Sequence, residues 1–401
     1  MSIFSFGNEK EKVSLVIDVG SSTVTSAMVV FNAEELPTFL YSKTATHPVG
    51  DKADANRLIE SLLSILDLQL KELVKEGFNH KYWNNKSKKL SGGIISFSSP
   101  WFAIKTKHLS LSHEKDFIVT ESFLNDVISQ EENIFKSELY PERPDAFEVI
   151  EKNVLHTKIN GYELQNILDK KTKSLEAFLC MSAMDVGLVY KIQDIVLRYA
   201  HIHKDDFKFH TFPVVSFAVV RDFFSAGGDF LICDVSGDVT DLTLVQDFVI
   251  KQNVSIPSGR NFILRQISKN FDVTPEIAES MLHMFSSDKS DDSVNQKMHE
   301  VIAEIEKEWA IYLENALVEL SPTINLPSNI YLMSDSDVVH IYTEFLKMPK
   351  TDTTSIFRKM LNINIIDEIV VSKFIKNQAV GKIDEFITFV ALFYKKLINT
   401  K

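Results

Sequence analysis

Short, continuous apolar runs alternate along the chain with longer segments in which apolar residues recur at helical spacing. Residues 13–19 (VSLVIDV) and 230–233 (FLIC) are apolar almost throughout, as expected for strands that are buried on both faces. Residues 54–76 and 294–320 instead repeat apolar side chains at i, i+3 and i+4, which is the pattern of amphipathic helices. Strands that alternate with helices in this way predict an α/β fold.

The same pattern assigns an element to most of the chain. It predicts strands at residues 13–19, 23–31, 38–42, 93–97, 101–111, 147–159, 175–181, 207–212, 230–233, 242–245, 248–256, 329–333 and 363–371. It predicts helices at residues 54–76, 121–136, 185–200, from 213 onward, and at 261–270, 275–285, 294–320, 338–347 and 383–397. Residues 90–160 have a strand–strand–helix–strand order of their own, so we expect a separate small module there.

Length, charge and cysteine content exclude several classes of protein. The 401 residues are enough for roughly two to four domains. A net charge of -12 argues against a nucleic-acid-binding protein, since neutralising phosphates requires basic patches. Cys180 and Cys233 lie inside apolar runs and indicate buried thiols in a reducing cytosol. No apolar run reaches the roughly 18 residues of a membrane span, so we expect any membrane contact to be peripheral or through a partner.

Two segments share one design, in which a buried strand ends in an aspartate and a turn of small residues leads to a second strand. In the first, Asp18 is followed by VGSST at residues 19–23, and in the second, Asp234 is followed by VSGDVTD at residues 235–241. Backbone N–H groups in such turns can approach an anion, and the aspartates can hold a hydrated Mg²⁺. The simpler interpretation is a pair of ordinary hairpins whose Asp and Gly residues only make the turns.

The two hairpins, each heading an α/β half, resemble the phosphate loops of the actin-like ATPase superfamily, which includes actin, heat-shock chaperones and sugar kinases. Residues 153–162 (NVLHTKINGY) are similar to the strand pair that closes the extra module of the FtsA/PilM group. Residues 255–259 (SIPSG) resemble the strand–Pro–Gly nucleotide segment, and Ala278-Glu279 resembles the Ala-Glu of the helix whose glutamate reaches the nucleotide ribose. Residues 329–337 stand where the adenosine motif belongs.

The resemblance implies an α/β, actin-like ATPase fold with two RNase H-like halves and an FtsA-type inserted subdomain. It divides the chain into residues 1–89 as the first part of subdomain 1A, 90–173 as a 1C-like insertion, 174–228 as the rest of 1A, and 229–401 as subdomains 2A and 2B, with the last helix packed on the last subdomain.

The resemblance also implies a nucleotide site, although it assigns no catalytic residue. A Mg²⁺ ion would lie between Asp18 and Asp234, mostly through water. The residues implied to contact ATP or ADP are Asp18, Gly20, Ser21, Ser22, Thr23, Ser236, Gly237, Asp238, Thr240, Gly259, Glu279 and Ser334.

The motifs depart from the family pattern at positions that matter for nucleotide. Ser236 takes the place of a glycine and restricts the backbone, and Asp238 adds negative charge where phosphate would lie. Residues 334–337 (SDSD) stand where the family has a Gly-Gly pair, and Leu282 stands where relatives often have a lysine. These changes predict weaker nucleotide binding, or binding without turnover, and at most a weak ATPase.

Fold alone does not determine function in this superfamily. The inserted module favours a scaffold of the FtsA type, which acts in cell division, forms filaments at the cytoplasmic face of the membrane and contacts a tubulin-like division protein. The alternative is a PilM-like scaffold of type IV pilus assembly that binds an inner-membrane protein, and the chain end soon after residue 397 favours it. An active ATPase or phosphotransferase and a nucleotide-free pseudo-ATPase also stay open. Residues 1–6 (MSIFSF) are a candidate anchoring peptide.

Overall fold

The structure is a computed structural model that describes residues 11–47, 55–164, 166–224, 227–287, 292–320, 326–347 and 361–399. The strands are β1 (Lys12–Val19), β2 (Thr23–Phe31), β3 (Thr38–Thr46), β4 (Gly93–Phe97), β5 (Ala103–Ile118), β6 (Phe147–Ile159), β7 (Tyr162–Glu163), β8 (Lys171–Asp185), β9 (Phe207–Thr211), β10 (Phe230–Val235), β11 (Thr240–Gln246), β12 (Val249–Ile256), β13 (Asn329–Ser334), β14 (Asn362–Ile365) and β15 (Lys376–Val380).

The α-helices in the described part of the chain are α1 (Ala55–Gly77), α2 (Glu121–Leu139), α3 (Val186–Ala200), α4 (Phe212–Phe223), α5 (Arg260–Phe271), α6 (Pro275–Ser286), α7 (Asp292–Leu320), α8 (Val339–Lys347), α9 (Glu368–Ser372) and α10 (Glu385–Asn399). Among the described residues, no helix combines the length and the apolar character needed to cross a membrane.

The first sheet has the strand order β15-β3-β2-β1-β4-β9. Leu15 and Ile17 of β1 pack with helices α1 and α3, whereas Val16 packs with α4 and α10 on the opposite face. Because both faces are covered, β1 is apolar at consecutive positions, which explains its continuous run in the sequence. Asp18 lies near the end of this strand, opposite Thr25 on β2 and Ser96 on β4.

The second sheet repeats the arrangement with the strand order β12-β11-β10-β13-β14. Phe230 and Ile232 of β10 pack in the same cluster as α4 and α10, and Leu231 and Cys233 pack with helices α5 to α8. Helices α4 and α10 therefore lie between the two sheets. Asp234 lies near the end of the central strand β10 and is paired with Asp241 on β11, which is the counterpart of the position of Asp18.

A third, four-stranded antiparallel sheet, β5-β8-β6-β7, lies between β4 and α3 in chain order. Helix α2 covers one of its faces, where Phe135 packs against Leu179 and Met181. The buried Glu151 of β6 joins this sheet to the first one, because its carboxylate accepts a hydrogen bond from the Thr211 backbone N–H of β9 at 3.0 Å. We call the three strands β5, β6 and β8 with helix α2 the inserted module.

Most predicted elements agree with the structure to within a few residues, although β5 ends at Ile118 and not at the predicted residue 111. One predicted element is wrong. Residues 363–371 are predicted as a single strand, but β14 ends at Ile365 and helix α9 follows. The cause is Asp367, whose side chain accepts a hydrogen bond from the Val370 backbone N–H at 2.8 Å and starts the helix. The candidate anchoring peptide at residues 1–6 and the predicted helix start at residue 54 lie outside the described residues.

The sheets place three segments differently from the predicted subdomain borders. Strand β4, predicted in the insertion, pairs in parallel with β1 of the first sheet. The first residues of β8, predicted within the insertion, continue without interruption to Asp185. Strand β15 and helix α10, predicted in the second half, pack on the first sheet, with Phe389 in the layer between the sheets. The reason is that strands and helices pack where their apolar faces become buried. The order of the elements along the chain does not show which faces these are. The assignment of subdomains 1A, 1C, 2A and 2B stays a prediction.

Candidate functional site

Asp18 and Asp234 lie near the ends of the two central strands, and both carboxyl groups are almost fully buried, with 4% and 3% of each residue exposed. Burial raises the pKa of Asp18 well above its usual 3.8, and the charges of Asp384 and Asp234 raise it further. Burial and the charge of Asp241 likewise raise the pKa of Asp234, although a hydrogen bond from Ser98 lowers it in part. These carboxyl groups therefore favour the protonated form, or need a nearby cation.

One oxygen of each carboxyl group, Oδ1 of Asp18 and Oδ1 of Asp234, has no hydrogen-bond partner among the described residues. The Oγ atoms of Ser96 and Ser334, on the neighbouring strands, also have no hydrogen-bond partner among the described residues. Ser96 lies opposite Asp18, and Ser334 lies opposite Val235, the residue after Asp234, in the sheet registers. The ends of the two sheets thus carry a set of buried oxygens with unused hydrogen-bonding capacity.

The two predicted phosphate loops touch each other directly. The Ser21 backbone N–H and Oγ both contact Ser236 Oγ at 3.2 Å. The Asp238 backbone N–H donates to Ser21 Oγ at 2.8 Å. Beside them, a Cβ placed on Gly237 would lie 2.0 Å from the Cβ of Ser22. We call this set, Ser21, Ser22, Ser236, Gly237 and Asp238, the loop contact.

The first backbone N–H groups of helix α5 are hydrogen-bonded to the second loop. The backbone N–H groups of Arg260 and Asn261 donate to the carbonyl oxygens of Ser236 at 3.0 Å and Gly237 at 2.7 Å. Such N–H groups at a helix N-terminus are where an anion would bind. Gly259 is required here, because a Cβ on it would lie 2.3 Å from the carbonyl oxygen of Ser236.

The predicted nucleoside end of the site is an ion-pair cluster around Arg260. Its guanidinium donates to Asp337 through Nε and Nη2, the latter at 2.7 Å, and to Glu279 at 2.7 Å. Asp335 lies 3.7 Å from Nε of the same arginine. The hydrogen bonds and charges of these acids raise the pKa of the Arg260 guanidinium, although burial opposes the shift. Glu279 is therefore engaged with Arg260.

The remaining predicted residues are also engaged in contacts within the chain. The Thr240 Oγ1 donates to the Ser258 carbonyl at 2.6 Å. The Gly20 N–H donates to the Thr23 carbonyl at 2.8 Å, and the Gly20 carbonyl accepts from Trp101 Nε1 at 2.9 Å. Most of the predicted residues thus hydrogen-bond to other groups of the chain, whereas Oδ1 of Asp18, Oδ1 of Asp234 and Oγ of Ser334 keep no partner among the described residues.

A second connection between the halves is one that the sequence pattern does not predict. Ser98 and Ser99 follow β4 in the first sheet. Ser98 Oγ donates to Asp234 Oδ2 at 3.2 Å, and Ser99 Oγ donates to Asp241 Oδ1 at 2.8 Å. The segment Ser98-Ser99-Pro100 is predicted only as a turn, and its one available signal is a pair of hydroxyl groups directly after a buried strand.

These observations do not fit a bound nucleoside triphosphate. Phosphate would have to displace the loop contact, and it would meet the carboxylate of Asp238 there. The adjacent cations are already paired, Arg265 with Asp238 and Arg260 with Asp337. The unused oxygens of Asp18 and Asp234 are compatible with a hydrated cation, but no group of three or more His, Cys, Asp or Glu side chains in the described ranges is arranged to hold a metal ion.

Two sheets that each end in a strand–aspartate–loop hairpin, and that meet at one junction with helices between them, define the class of protein. The chain has the actin-like ATPase fold. No family model matches the sequence, and no curated protein matches it.

The chain is similar to several solved structures of low sequence identity. A chain of the PilM–PilN type IV pilus biogenesis complex superposes with a TM-score of 0.59 at 14% identity, over 97% of this chain and 98% of that chain. The ethanolamine utilization protein EutJ from Carboxydothermus hydrogenoformans gives 0.47 at 11% identity, over 96% and 90%. A Bacteroides thetaiotaomicron protein with an actin-like ATPase fold and unknown function gives 0.42 at 11%, over 98% and 99%.

Neutralising the buried aspartates is expected to stabilise the protein at high pH. Because the folded pKa of Asp18 and of Asp234 is raised, the wild type loses stability as pH rises from the unfolded pKa through the folded one. Asp18→Asn and Asp234→Asn should therefore unfold with a free energy higher than wild type by about 1–3 kcal/mol near pH 8, and by less near pH 4. Urea unfolding at both pH values measures this.

The exposed Asp126 of α2 provides the control, because Asp126→Asn removes a carboxylate without any desolvation to relieve. Its effect should stay within about 0.5 kcal/mol at both pH values. A Mg²⁺-dependent rise in the melting temperature of the wild type, lost in Asp18→Asn, would instead show that a cation neutralises the carboxyl groups.

Proposed function

We propose that this protein is a non-catalytic scaffold of the PilM type, which binds a cytoplasmic segment of an inner-membrane protein in type IV pilus assembly. The observation that carries the proposal is the loop contact. Where an ATPase of this fold holds phosphate, Ser21, Ser236 and Asp238 hydrogen-bond to one another. A fold that keeps its architecture while its nucleotide residues satisfy each other is suited to binding a partner and not to turnover.

The similarity to a chain of the PilM–PilN complex, over nearly the full length of both chains, supports this choice of partner. The proposal includes an FtsA-type identity for the inserted module. It also includes the predicted subdomain division, with β4, β15 and α10 moved to the half that contains the first sheet. It places the protein at the cytoplasmic face of the membrane, in contact with it through its partner. A role in cell division as an FtsA-like filament has less support, since no observation points to a tubulin-like partner.

Binding of the purified protein to candidate partners tests the proposal. We expect saturable binding to the cytoplasmic segment of one inner-membrane pilus protein encoded in the same genome, and no binding to a scrambled segment of equal composition. Binding to the tubulin-like division protein in place of the pilus segment would contradict the proposal and favour the FtsA-type alternative. Light scattering in the same samples reports whether filaments form.

The absence of turnover is a separate expectation. Phosphate release in the presence of ATP and Mg²⁺ should not exceed that of an Asp234→Ala control. Turnover well above this control would identify an ATPase and would contradict the non-catalytic part of the proposal, even if the pilus segment binds.

A further inference from the structure

The carboxylate of Asp238 lies near the N-terminus of helix α5 and is paired with a cation of the same helix. Its Oδ1 accepts from Arg265 Nη1 at 2.6 Å, and its Oδ2 accepts from Asn261 Nδ2 at 3.1 Å. Both donors belong to α5, Asn261 in its first turn and Arg265 in the next. An anion at such a position is favoured by the helix dipole and by the charge-assisted hydrogen bond.

The backbone of Asp238 connects this carboxylate to the other half of the molecule. Its N–H donates to the Oγ of Ser21, which is 1% exposed. Ser21 in turn donates its own N–H to Ser236 Oγ. One residue of the second loop is thus held by α5 through its side chain and holds the first loop through its main chain. A phosphate anion in the place of the carboxylate would accept the same hydrogen bonds from Asn261 and Arg265.

Packing leaves no room for a second anion at this point. A single methyl group on Gly237 would overlap Ser22, and the N–H groups at the start of α5 already donate to the second loop. On the other side of the junction, Ser98 and Ser99 cross-link the halves through Asp234 and Asp241. The hydrogen bonds of the loop contact are therefore made without a ligand.

We infer that the Asp238 carboxylate is a built-in substitute for the phosphate of a nucleotide, and that by binding α5 it fixes the main-chain N–H that links the two halves of this fold. The inference goes beyond the proposed function, since it concerns the isolated chain and holds for any partner.

Chemical rescue with inorganic phosphate tests the substitution directly. Asp238→Gly removes the carboxylate but keeps the backbone N–H, so the amides of residues 21 and 238 are expected to exchange hydrogen about tenfold faster than in the wild type. Phosphate should slow this exchange again in the variant, because Asn261 and Arg265 then face a vacant anion position. The wild type should not respond to phosphate.

The matched control is Asp247→Asn, which changes an exposed aspartate in the next hairpin of the same half. It should leave exchange at residues 21 and 238 unchanged. If Asp238→Gly does not fold, Asp238→Asn keeps the size of the side chain and removes only its charge. Unchanged exchange in whichever of these variants folds, or protection of the wild type by phosphate, would overturn the inference.

A distance measurement between the halves provides the second test. Cys180 and Cys233 are buried, so spin labels will attach at introduced cysteines on exposed helix positions, Lys71→Cys on α1 and Lys269→Cys on α5. We expect one narrow distance distribution that ATP with Mg²⁺ does not move, and a broader one when Asp238→Gly is added. A shift with ATP and Mg²⁺ in the labelled wild type would show that the junction still responds to nucleotide, which contradicts the inference. The protein is measured alone, so failure of the pilus proposal would not affect the outcome.

Discussion

Replacing Gly237 by alanine is expected to lower the free energy of unfolding by about 3 kcal/mol. The added Cβ would lie 2.0 Å from Ser22 Cβ and 2.3 Å from its Oγ, so the two loops must separate. Separation breaks the hydrogen bonds from Ser21 to Ser236 and from Asp238 to Ser21. Urea unfolding of wild type and variant at neutral pH measures the loss.

The chain offers a matched control and a rescue for this variant. A Cβ added to Gly227 would meet no atom within 4 Å, so Gly227→Ala should change stability by no more than about 0.5 kcal/mol. Ser22→Gly removes the side chain that the new methyl group meets, and the double variant should recover about half of the loss. Equal effects of Gly237→Ala and Gly227→Ala would show that the loops do not touch in solution.

Glu151→Ala is expected to cost about 3–5 kcal/mol, because it removes the centre of a buried polar network. The carboxylate accepts from the Thr211 N–H at 3.0 Å and from Ser182 Oγ at 2.8 Å, and it pairs with His210 Nδ1 at 2.7 Å. Alanine would remove the acceptor of the buried Thr211 N–H and the partner of His210 where the inserted module meets the first sheet. The module should then also become the first segment that proteases cleave.

The pH dependence separates this effect from a simple packing defect. Burial alone would raise the pKa of Glu151, but the hydrogen bond and charge of His210, with Thr211 and Ser182, bring it below its usual 4.5. The contribution to stability is therefore fully present above that pH and is lost as pH falls through the lower folded pKa. Glu163→Gln, at an exposed carboxylate next to the same module, should have little effect at any pH. A pH-independent loss in Glu151→Ala would contradict the ionised network.

Local pattern is enough to locate the two strands that carry Asp18 and Asp234. Strands buried on both faces must be apolar at consecutive positions, so β1 and β10 are visible in the sequence as uninterrupted runs. The hairpins at residues 18–23 and 234–241 follow from the small residues between paired strands. The resemblance to the actin-like ATPase superfamily depends on the order of these hairpins and the later motifs along the chain.

The hydrogen-bond and ion-pair partners of the site residues are only partly predictable from the sequence. Ser236 and Asp238 stand out in the sequence as poor phosphate-binding residues, which indicates weakened nucleotide binding. That Asp238 is held by Asn261 and Arg265, and that Arg260 is paired with Asp337, depends on residues that are distant along the chain. Hydrogen-bond partners across a sheet or between halves have no fixed spacing in sequence, so no local pattern identifies them.

The sequence by itself therefore determined most of the secondary structure, the α/β class and the position of the two loops, because burial and turn formation act over a few neighbouring residues. Only the tertiary structure decided that β15 and α10 pack with the first half, and that the loops satisfy each other's hydrogen bonds. Both outcomes depend on which surfaces meet when the halves pack together. The packing of the halves places Ser21 against Asp238, so the two predicted phosphate loops hydrogen-bond to each other.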